Sequence, residues 1–450
     1  MAMKHTRRGT ALVLCMIFVV MITSLALALS TLSGGSVQLA DNQRQANGAL
    51  TAAESGLDVM RYWLDHFIML KTTQQDQYFT EVVQWLQAHV PANISVANDG
   101  AIGPVTLSSA DKSEFSAQLK ISSTDPEIVL VSLTGTNSGV SRTINVAFNV
   151  SPYEHPIFNY GMATKGAIHF PQNPTLTGAS VNWEADVYID SSEMIAVDIG
   201  GNANFDGNFS IRNADGQISY AGDLQIGGDH GQTAIDNHVF TGVPSVDFPS
   251  PETQDFASFA IGGPTVDPAT MDLTKGLTLT NATIPAGLNP TFTGNVIIEG
   301  VLWIEPPNVV TFGRNCQLNG VIVGNGALDS VQDNQINFAG NFATGPYPTG
   351  EQFAALEDMA GTSIVAPGFS ASFTGNFSAI DGVVAVSGIE FSGNASADIR
   401  GTIINYSDEP TVVDGNISLS FDRAASTTIP AGFDTHRVLA YNPSSYCMAF

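Results

Sequence analysis

An uninterrupted apolar run near the start of the chain predicts its first element. Residues Thr10 to Leu32 contain no charged side chain, and the basic residues Lys4, Arg7 and Arg8 precede them. As a helix rising about 1.5 Å per residue, this run spans roughly 34 Å, enough to cross the hydrocarbon core of a bilayer. The basic flank predicts a cytoplasmic N-terminus, so the bulk of the chain is expected in the periplasm or outside the cell.

A secretory signal peptide has the same basic start and apolar run, but two features argue against one. The run is longer than a usual signal core, and its small-residue triplet Ala26-Leu27-Ala28 lies inside the run. The helical pattern also continues beyond the run, which favours a membrane anchor with an extended helix over residues 10–70.

The continuing helix carries an apolar stripe with steps of four and three residues, a spacing near 3.5. We call its central part the seam, and it consists of Leu50, Ala53, Leu57, Met60 and Leu64. Two interpretations stay open on pattern alone. The seam binds a partner helix during assembly, or the helix lies on its own globular domain.

The residues after the helix predict a small α+β head over 71–150. Gln74 to His89 is amphipathic and predicts a short helix. Alternating or β-branched patterns predict strands at Glu114–Ser122, Glu127–Leu133 and Val140–Val150. Residues 151–156 then resemble a linker.

Beyond the linker the chain repeats a short phrase, an apolar residue, any residue, Gly, and then Asn or Asp. The phrases begin at Phe205, Tyr220, Phe292, Phe338, Phe373, Phe391 and Val413. Their closest spacings, 15, 18 and 22 residues, are near one coil of a β-solenoid. We therefore predict a mainly β protein whose residues 157–450 form a right-handed parallel β-helix, with a β-sandwich as the alternative.

The phrase itself suggests how coils turn and stack. Gly-Asn favours backbone positions with φ > 0, so each phrase is expected to be a turn. Irregular spacing before Phe292 and before Phe373 predicts loops that protrude from the coils. Asn side chains in successive coils are expected to form a hydrogen-bonded ladder.

Charge is distributed unevenly along the chain. The formal net charge is −26, and the residues after Val150 contribute 31 Asp and Glu against 7 Lys and Arg. This acidic surface repels nucleic acid and anionic lipid, so neither is an expected partner of that region.

No catalytic motif is present in the sequence, so we expect no enzyme activity and no cofactor. The alternative, a surface-tethered carbohydrate-active β-helix or glycan-binding module, depends on one stretch. If Val181 to Asp190 is a strand, one face carries Asn182 and the candidate ligand residues Glu184, Asp186, Tyr188 and Asp190. This face binds Ca²⁺ or a sugar, or it is simply solvated.

Cysteine spacing leaves one question open. Cys15 lies in the apolar run, while Cys316 and Cys447 are 131 positions apart in the exported part of the chain. They can pair in an oxidising compartment, but spacing does not establish that the two residues approach each other.

Two stretches near the N-terminus carry a family resemblance. Arg7-Arg8-Gly9-Thr10-Ala11-Leu12 with the apolar helix, and Asn47 to Leu57, resemble the N-terminus of PilX-like type IV pilus assembly proteins. The resemblance covers about 65 residues. It implies a basic leader over residues 1–9, cleavage between Gly9 and Thr10 by a prepilin peptidase, and a minor pilin or pilin-like role. The fifth residue after this cut is Leu14, where major pilins carry Glu.

The resemblance and the residue patterns together predict a membrane-anchored structural protein of a type IV pilus or related secretion pseudopilus. Its expected partners are the inner membrane, other pilin-like subunits, the assembly machinery and surface glycans. The solenoid is expected to serve assembly, adhesion or spacing.

Overall fold

The computed structural model describes residues 8–110, 112–328, 331–357, 360–393, 396–423 and 429–449. The chain divides into two compact units. Met1–Tyr153 and His436–Phe450 form the first, which we call the head unit, and Glu154–Thr435 form the second, the solenoid unit. The predicted range of 157–450 for the solenoid therefore ended too late, because the final strand belongs to the head.

Five α-helices lie in the described residues. In chain order, α1 to α5 are Arg8–Leu64, Tyr78–His89, Gly231–His238, Gln254–Ala260 and Ala354–Glu357. Short 3₁₀ helices occur at Gln75–Gln77, Pro156–Asn159, Asn182–Ala185 and Val331–Asp333. Helix α1 continues without interruption from the predicted membrane anchor into the head unit, and α2 confirms the predicted amphipathic helix.

The head unit contains one antiparallel sheet of six strands. In spatial order they are Ile68–Leu70, His436–Ala449, Val140–Pro152, Ile128–Asn137, Ser113–Ile121 and Ala101–Ser108. The three predicted strands are confirmed within this sheet. The sequence did not reveal Ile68–Leu70, Ala101–Ser108 or the C-terminal strand as members of the head.

The C-terminal strand returns to the head across a gap of nearly 300 positions in sequence. His436–Ala449 lies antiparallel to Val140–Pro152, with Pro152 opposite Arg437. Tyr153 N donates a hydrogen bond to His436 O at 3.0 Å. The solenoid unit is therefore an insertion between two neighbouring strands of the head sheet.

The solenoid unit consists of three sheets in which nearly all neighbouring strands are parallel. In spatial order, the first solenoid sheet contains Val239–Thr241, Phe209–Ile211, Val187–Ile189, Met162–Thr164, Ile403–Asn405, Val383–Val386, Thr362–Ala366, Cys316–Gly324, Val296–Ile304 and Leu277–Ile284, with Phe342–Thr344 beside Cys316–Gly324. The second contains Gln217–Tyr220, Ile195–Ile199, Ile168–Phe170, Thr411–Gly415, Ile389–Gly393, Ser370–Phe373, Gln335–Phe338, Val309–Phe312 and Thr291–Phe292. The third contains Asp229–His230, Leu224–Ile226, Ala203–Phe205, Thr175–Gly178, Ser418–Phe421, Ser396–Arg400 and Ala379–Asp381. Parallel pairing confirms the solenoid and excludes the β-sandwich alternative.

The first and last coils of the solenoid unit are neighbours in its middle. Strand Ile403–Asn405 pairs in parallel with Met162–Thr164, and the two strands that follow each of them pair in the same way. From Met162 the chain winds to one end at Val239–Thr241, and from Leu277 it winds from the other end back to the middle. The unit therefore starts and finishes in adjacent coils although all its coils advance in one direction.

Residues 242–276, which we call the return segment, connect the two ends of the solenoid. They lie on the outer face of the first solenoid sheet, where the Tyr406 hydroxyl donates to Pro249 O at 2.6 Å. Phe256 of α4 is fully buried against the outward-facing Val301. The first predicted loop is thus largely this segment, and it packs along the sheet instead of protruding, because the sheet carries apolar residues on both faces.

A column of stacked phenylalanines fills the interior behind the second solenoid sheet. The rings of Phe292, Phe312, Phe338, Phe373 and Phe391 have centroids 5.2, 5.3, 4.9 and 5.1 Å apart, with interplanar angles of 6° to 15°. Their spacing follows the parallel pairing of successive strands. In the phrases at Phe292, Phe338, Phe373 and Phe391 the apolar residue is therefore an interior stacking position, whereas Tyr220 is 37% exposed.

The glycines of the repeated phrases serve a different purpose from the one predicted. Among them, only Gly393 and Gly415 have positive φ, 110° and 112°. At Gly375 an added Cβ would lie 2.0 Å from Gly340 O, and at Gly340 it would lie 2.1 Å from the carbonyl oxygen of Arg314. The prediction that each phrase needs φ > 0 was therefore wrong, because glycine is required by the close approach of the adjacent coil.

The phrases also occur at two different corners of the coil. The one at Phe205 follows a strand of the third sheet, whereas the one at Tyr220 follows a strand of the second. Their spacing of 15 residues therefore does not measure a coil. Paired positions Val187 and Phe209, which are 22 residues apart, do measure one.

The predicted asparagine ladder is confirmed at one corner. Asn173 Nδ2 donates to Asn416 Oδ1 at 3.0 Å, and Asn173 Oδ1 accepts from Asn202 N at 2.9 Å. Asn202 Oδ1 in turn accepts from Asp223 N at 2.9 Å. These bonds connect four successive coils across the junction between the first and last coils.

We predict that the head folds without the solenoid. Replacing Glu154–Thr435 by Asn-Gly places a two-residue turn between Tyr153 and His436, which the observed register already positions as a hairpin. Amide hydrogen exchange should show protection in Val140–Pro152 and His436–Ala449. As a control, a variant ending at Tyr153 should lose the protection of Val140–Pro152, since it lacks the strand that pairs with it. Equal protection in both variants would contradict the assignment of that strand to the head.

Gly375→Ala should destabilise the solenoid by about 1–3 kcal/mol, because its Cβ overlaps Gly340 O and forces the two coils apart. Hydrogen exchange should accelerate first in the coils around Phe338 and Phe391. Gly276→Ala is the matched control, since its Cβ would lie 3.9 Å from the nearest neighbouring atom. Equal stability of the two variants would show that close coil contact does not require Gly375.

Candidate assembly helix and predicted surface sites

Helix α1 has an exposed apolar half. No charged residue occurs between Arg8 and Asp41, and large side chains such as Leu12 and Leu39 are about two-thirds exposed. The span is long and apolar enough to cross a membrane, judged by length and composition. At about 1.5 Å per residue, this charge-free stretch extends for roughly 48 Å, more than a bilayer core needs.

The polar residues of this exposed half hydrogen-bond within the helix. Thr23 Oγ1 donates to Val19 O at 2.8 Å, Thr31 Oγ1 to Ala28 O at 2.9 Å, and Ser36 Oγ to Leu32 O at 2.9 Å. Such bonds satisfy hydroxyl groups in an environment without water. The Thr and Ser residues therefore do not argue against insertion in lipid.

The second half of α1 packs on the sheet of its own head. Ala53, Met60 and Leu64 have no exposed surface, and Leu57 is 7% exposed, all within the core of the head unit. Leu50 packs at the margin of that core. The assembly-seam hypothesis is therefore corrected, because these apolar positions are already covered within the chain.

Small residues allow the helix to approach the sheet closely. A Cβ at Gly56 would lie 2.7 Å from the Phe115 ring, and a Cβ at Gly135 would lie 2.2 Å from Ala49 O. Bulkier side chains at these positions would move the helix away from strands Ser113–Ile121 and Ile128–Asn137. The small residues between Asn47 and Leu57 thus lie on the helix face that packs on the head sheet.

The predicted processing residues lie at the beginning of α1. Gly9 and Thr10 have helical backbone, and Leu14 is exposed. Cleavage between Gly9 and Thr10 stays a prediction.

The predicted ligand face does not exist as one strand face. Residues Asn182–Ala185 form a 3₁₀ helix, and only Val187–Ile189 form a strand. Glu184 is fully buried and accepts hydrogen bonds from Ser180 N and Val181 N at 2.7 and 3.1 Å. Turn formation therefore interrupts the alternation that the sequence suggested.

The other members of that stretch also have structural contacts. Asp186 accepts from Asn208 N at 2.7 Å, and burial raises the pKa of its carboxyl group. The hydroxyl of the buried Tyr188 accepts from Val246 N in the return segment at 2.9 Å. Asp190 forms an ion pair with Arg212 at 3.0 Å. These side chains connect coils and turns.

A buried arginine accounts for the acidic residues at this place. The Arg423 guanidinium lies over the Trp183 ring at 4.8 Å and donates to Phe158 O at 3.0 Å. Burial lowers the pKa of Arg423, while the negative charges of Asp186 and Glu184 oppose that shift. The two carboxylates thus compensate an internal cation.

Neither a metal centre nor a disulfide is formed by the predicted residues. In the described part of the chain, no three His, Cys, Asp or Glu side chains converge as metal ligands. Calcium binding at Glu184, Asp186 and Asp190 has no geometric support in that part. Cys316 and Cys447 are free thiols, and burial raises the pKa of Cys316.

The first unit combines a long helix with an antiparallel sheet. The sequence model of the PilX N-terminal family matches residues 8–58, which include the exposed half of α1 and most of its buried half. Over these residues the chain is similar to that family, and the remainder of the chain contains a β-solenoid.

A comparison of this chain with solved structures found the crystal structure of the competence-associated pilin ComZ from Thermus thermophilus. The two chains have 12% sequence identity and a TM-score of 0.29. The alignment covers 90% of this chain and 98% of that chain. A TM-score of this size is too low to establish a common fold for the whole chain. A search of curated proteins found no match.

Leu57→Asp should destabilise the head by about 3–5 kcal/mol, because it leaves an unpaired charge in the core. Urea unfolding of the variant lacking the solenoid measures this loss. Leu70→Asp is the matched control, since Leu70 is 57% exposed. If both substitutions cost the same, Leu57 does not contribute a buried contact to the head.

Proposed function

We propose that this protein is a membrane-anchored, pilin-like structural subunit of a type IV pilus or a related secretion pseudopilus. The observation that carries the proposal is the division of α1 into two halves, one apolar and exposed, the other buried in the head. Covering the exposed half requires lipid before assembly and neighbouring apolar helices afterwards. The PilX N-terminal match to residues 8–58 supports the same role.

The uneven distribution of charge between the two units supports the proposal that this is a minor subunit, with the solenoid as an accessory unit. The solenoid unit has 31 acidic and 6 basic side chains, a net charge of −25, whereas the rest of the chain has a net charge of −1. Solenoid units at close spacing would repel one another, although salt screens part of this repulsion. The nearly neutral head carries no such obstacle to packing beside other subunits.

The solenoid is proposed to lie outside the inner membrane and to act in adhesion or spacing. Its acidic surface favours solubility, and no step of this role requires catalysis. The protein is accordingly proposed to be a structural component without enzyme activity.

Processing and assembly are tested together in the native host. Mass spectrometry of sheared filaments should find a chain that begins at Thr10, because the basic leader has to be removed before the helix enters a filament. Gly9→Arg should retain Met1 or Met3 at the start, stay in membranes and disappear from the sheared fraction. Wild-type protein with an intact leader and no presence in filaments would overturn the proposed role.

A further inference from the structure

A polar groove with a volume of 730 Å³ lies on the outer face of the second solenoid sheet. Its floor consists of side chains from four successive coils, Gln335, Asn337, Ser370, Ser372, Glu390 and Val412. Leu328 and Val331 line one part of its rim, and Glu409 and Pro410 line another. The solenoid therefore presents an elongated binding surface made by regular strands.

The floor is rigid because its reverse side is the solenoid core. Asn337 lies between the inward-facing Ile336 and Phe338, which are at most 1% exposed. In register, Asn337 is paired with Ser372, and Ser372 with Glu390. A ligand that binds here meets side chains whose backbone positions are already fixed, which reduces the entropy lost on binding.

The polar groups on this floor are available for a ligand. The side chains of Gln335, Asn337, Ser372 and Glu390 make no hydrogen bond or ion pair with any residue in the described ranges. Elsewhere on the solenoid, polar side chains connect neighbouring coils, as in the asparagine ladder. The groove floor thus differs from surfaces whose polar groups stabilise the fold.

Charge restricts the class of ligand. Asp333, Glu390 and Glu409 line the groove, and none of its lining residues is Lys or Arg. Phosphate, sulfate or uronate groups would meet these carboxylates without a counter-charge. A neutral polymer with hydroxyl groups avoids this repulsion and hydrogen-bonds to the amides, hydroxyls and carboxylates.

The spacing of the floor suits a chain of repeating units. Neighbouring strands lie about 4.8 Å apart, so four strands present polar groups over about 14 Å. This periodicity is close to the length of a sugar unit in an extended chain. The apolar rim residues Leu328, Val331 and Pro410 offer contacts for the C–H surfaces of sugar rings.

We propose that this groove binds a neutral, extended glycan of about three or four sugar units. The inference deepens the proposed adhesive role and rests on it for its biological use. It also places glycan contact at the second solenoid sheet, away from the Glu184 to Asp190 stretch.

Isothermal titration calorimetry on the full-length protein tests the proposal. The detergent should have a zwitterionic headgroup without sugar. Cellotetraose and chitotetraose are the neutral probes, tetragalacturonate is the anionic probe, and tetralysine tests a cationic peptide. We expect at least one neutral tetrasaccharide to bind and tetragalacturonate not to bind. Failure of both neutral probes, or binding of tetralysine alone, would overturn the proposal.

Substitutions in the groove locate the site. Ser372→Trp should weaken binding at least about tenfold by filling the groove, and Asn337→Ala should weaken it about threefold by removing one amide. Ser420→Trp is the matched control, because Ser420 also lies partly exposed on a strand, in the third solenoid sheet. Equal binding by the Ser372 and Ser420 variants would overturn this location.

The experiments distinguish a failure of the glycan-binding proposal from a failure of the proposed pilus function. Calorimetry does not depend on assembly, and Ser372→Trp should leave the amount of protein in sheared filaments unchanged. Glycan binding by a chain that never enters filaments would overturn only the proposed function. Normal assembly without glycan binding would overturn only the groove.

Discussion

The pairing of Val140–Pro152 with His436–Ala449 is the constraint on which the architecture depends. An insertion between two adjacent antiparallel strands has to begin and end at nearly the same place. A solenoid that winds in one direction would separate its two ends by its whole length. The solenoid of this protein starts in the middle and winds to one end. Residues 242–276 then cross to the other end, from which the chain winds back to the middle. The first and last coils then pair directly.

The return segment makes this order of coils stable as well as connected. The first solenoid sheet is apolar on its inner and its outer face, so it needs a cover on both sides. Phe256 and the main chain at Pro249 supply part of the outer cover, which offsets the entropy cost of ordering a long connection. The same residues thus connect the two ends of the solenoid and bury part of the apolar outer face of the first solenoid sheet.

Sequence patterns predicted local elements and missed the relations between distant ones. The long helix, α2 and three head strands all follow from spacing within short windows. The pairing of Met162 with Ile403 does not, because each coil has the same local pattern whatever coil lies beside it. The role of Gly375 was misjudged for a related reason. Its neighbour, Gly340, is in another coil, and only the assembled stack shows how close the two backbones are.

The pattern of apolar residues in the sequence likewise did not identify which element covers an apolar helix face. The seam at Leu57 has the same periodicity whether it faces a second protein or its own sheet. In the structure it faces its own sheet, and Gly135 on the opposing strand allows the close contact with the helix. The same reasoning separates the two parts of α1. Gly48, Ala53 and Gly56 are small because a sheet lies against them, whereas the exposed half has large aliphatic residues and no covering element in the described chain. That half therefore lacks an apolar cover within the described chain, and the proposed function supplies one from lipid and then from neighbouring subunits. Because the head core is complete without that cover, the head can stay fixed to the helix during such a change of surroundings.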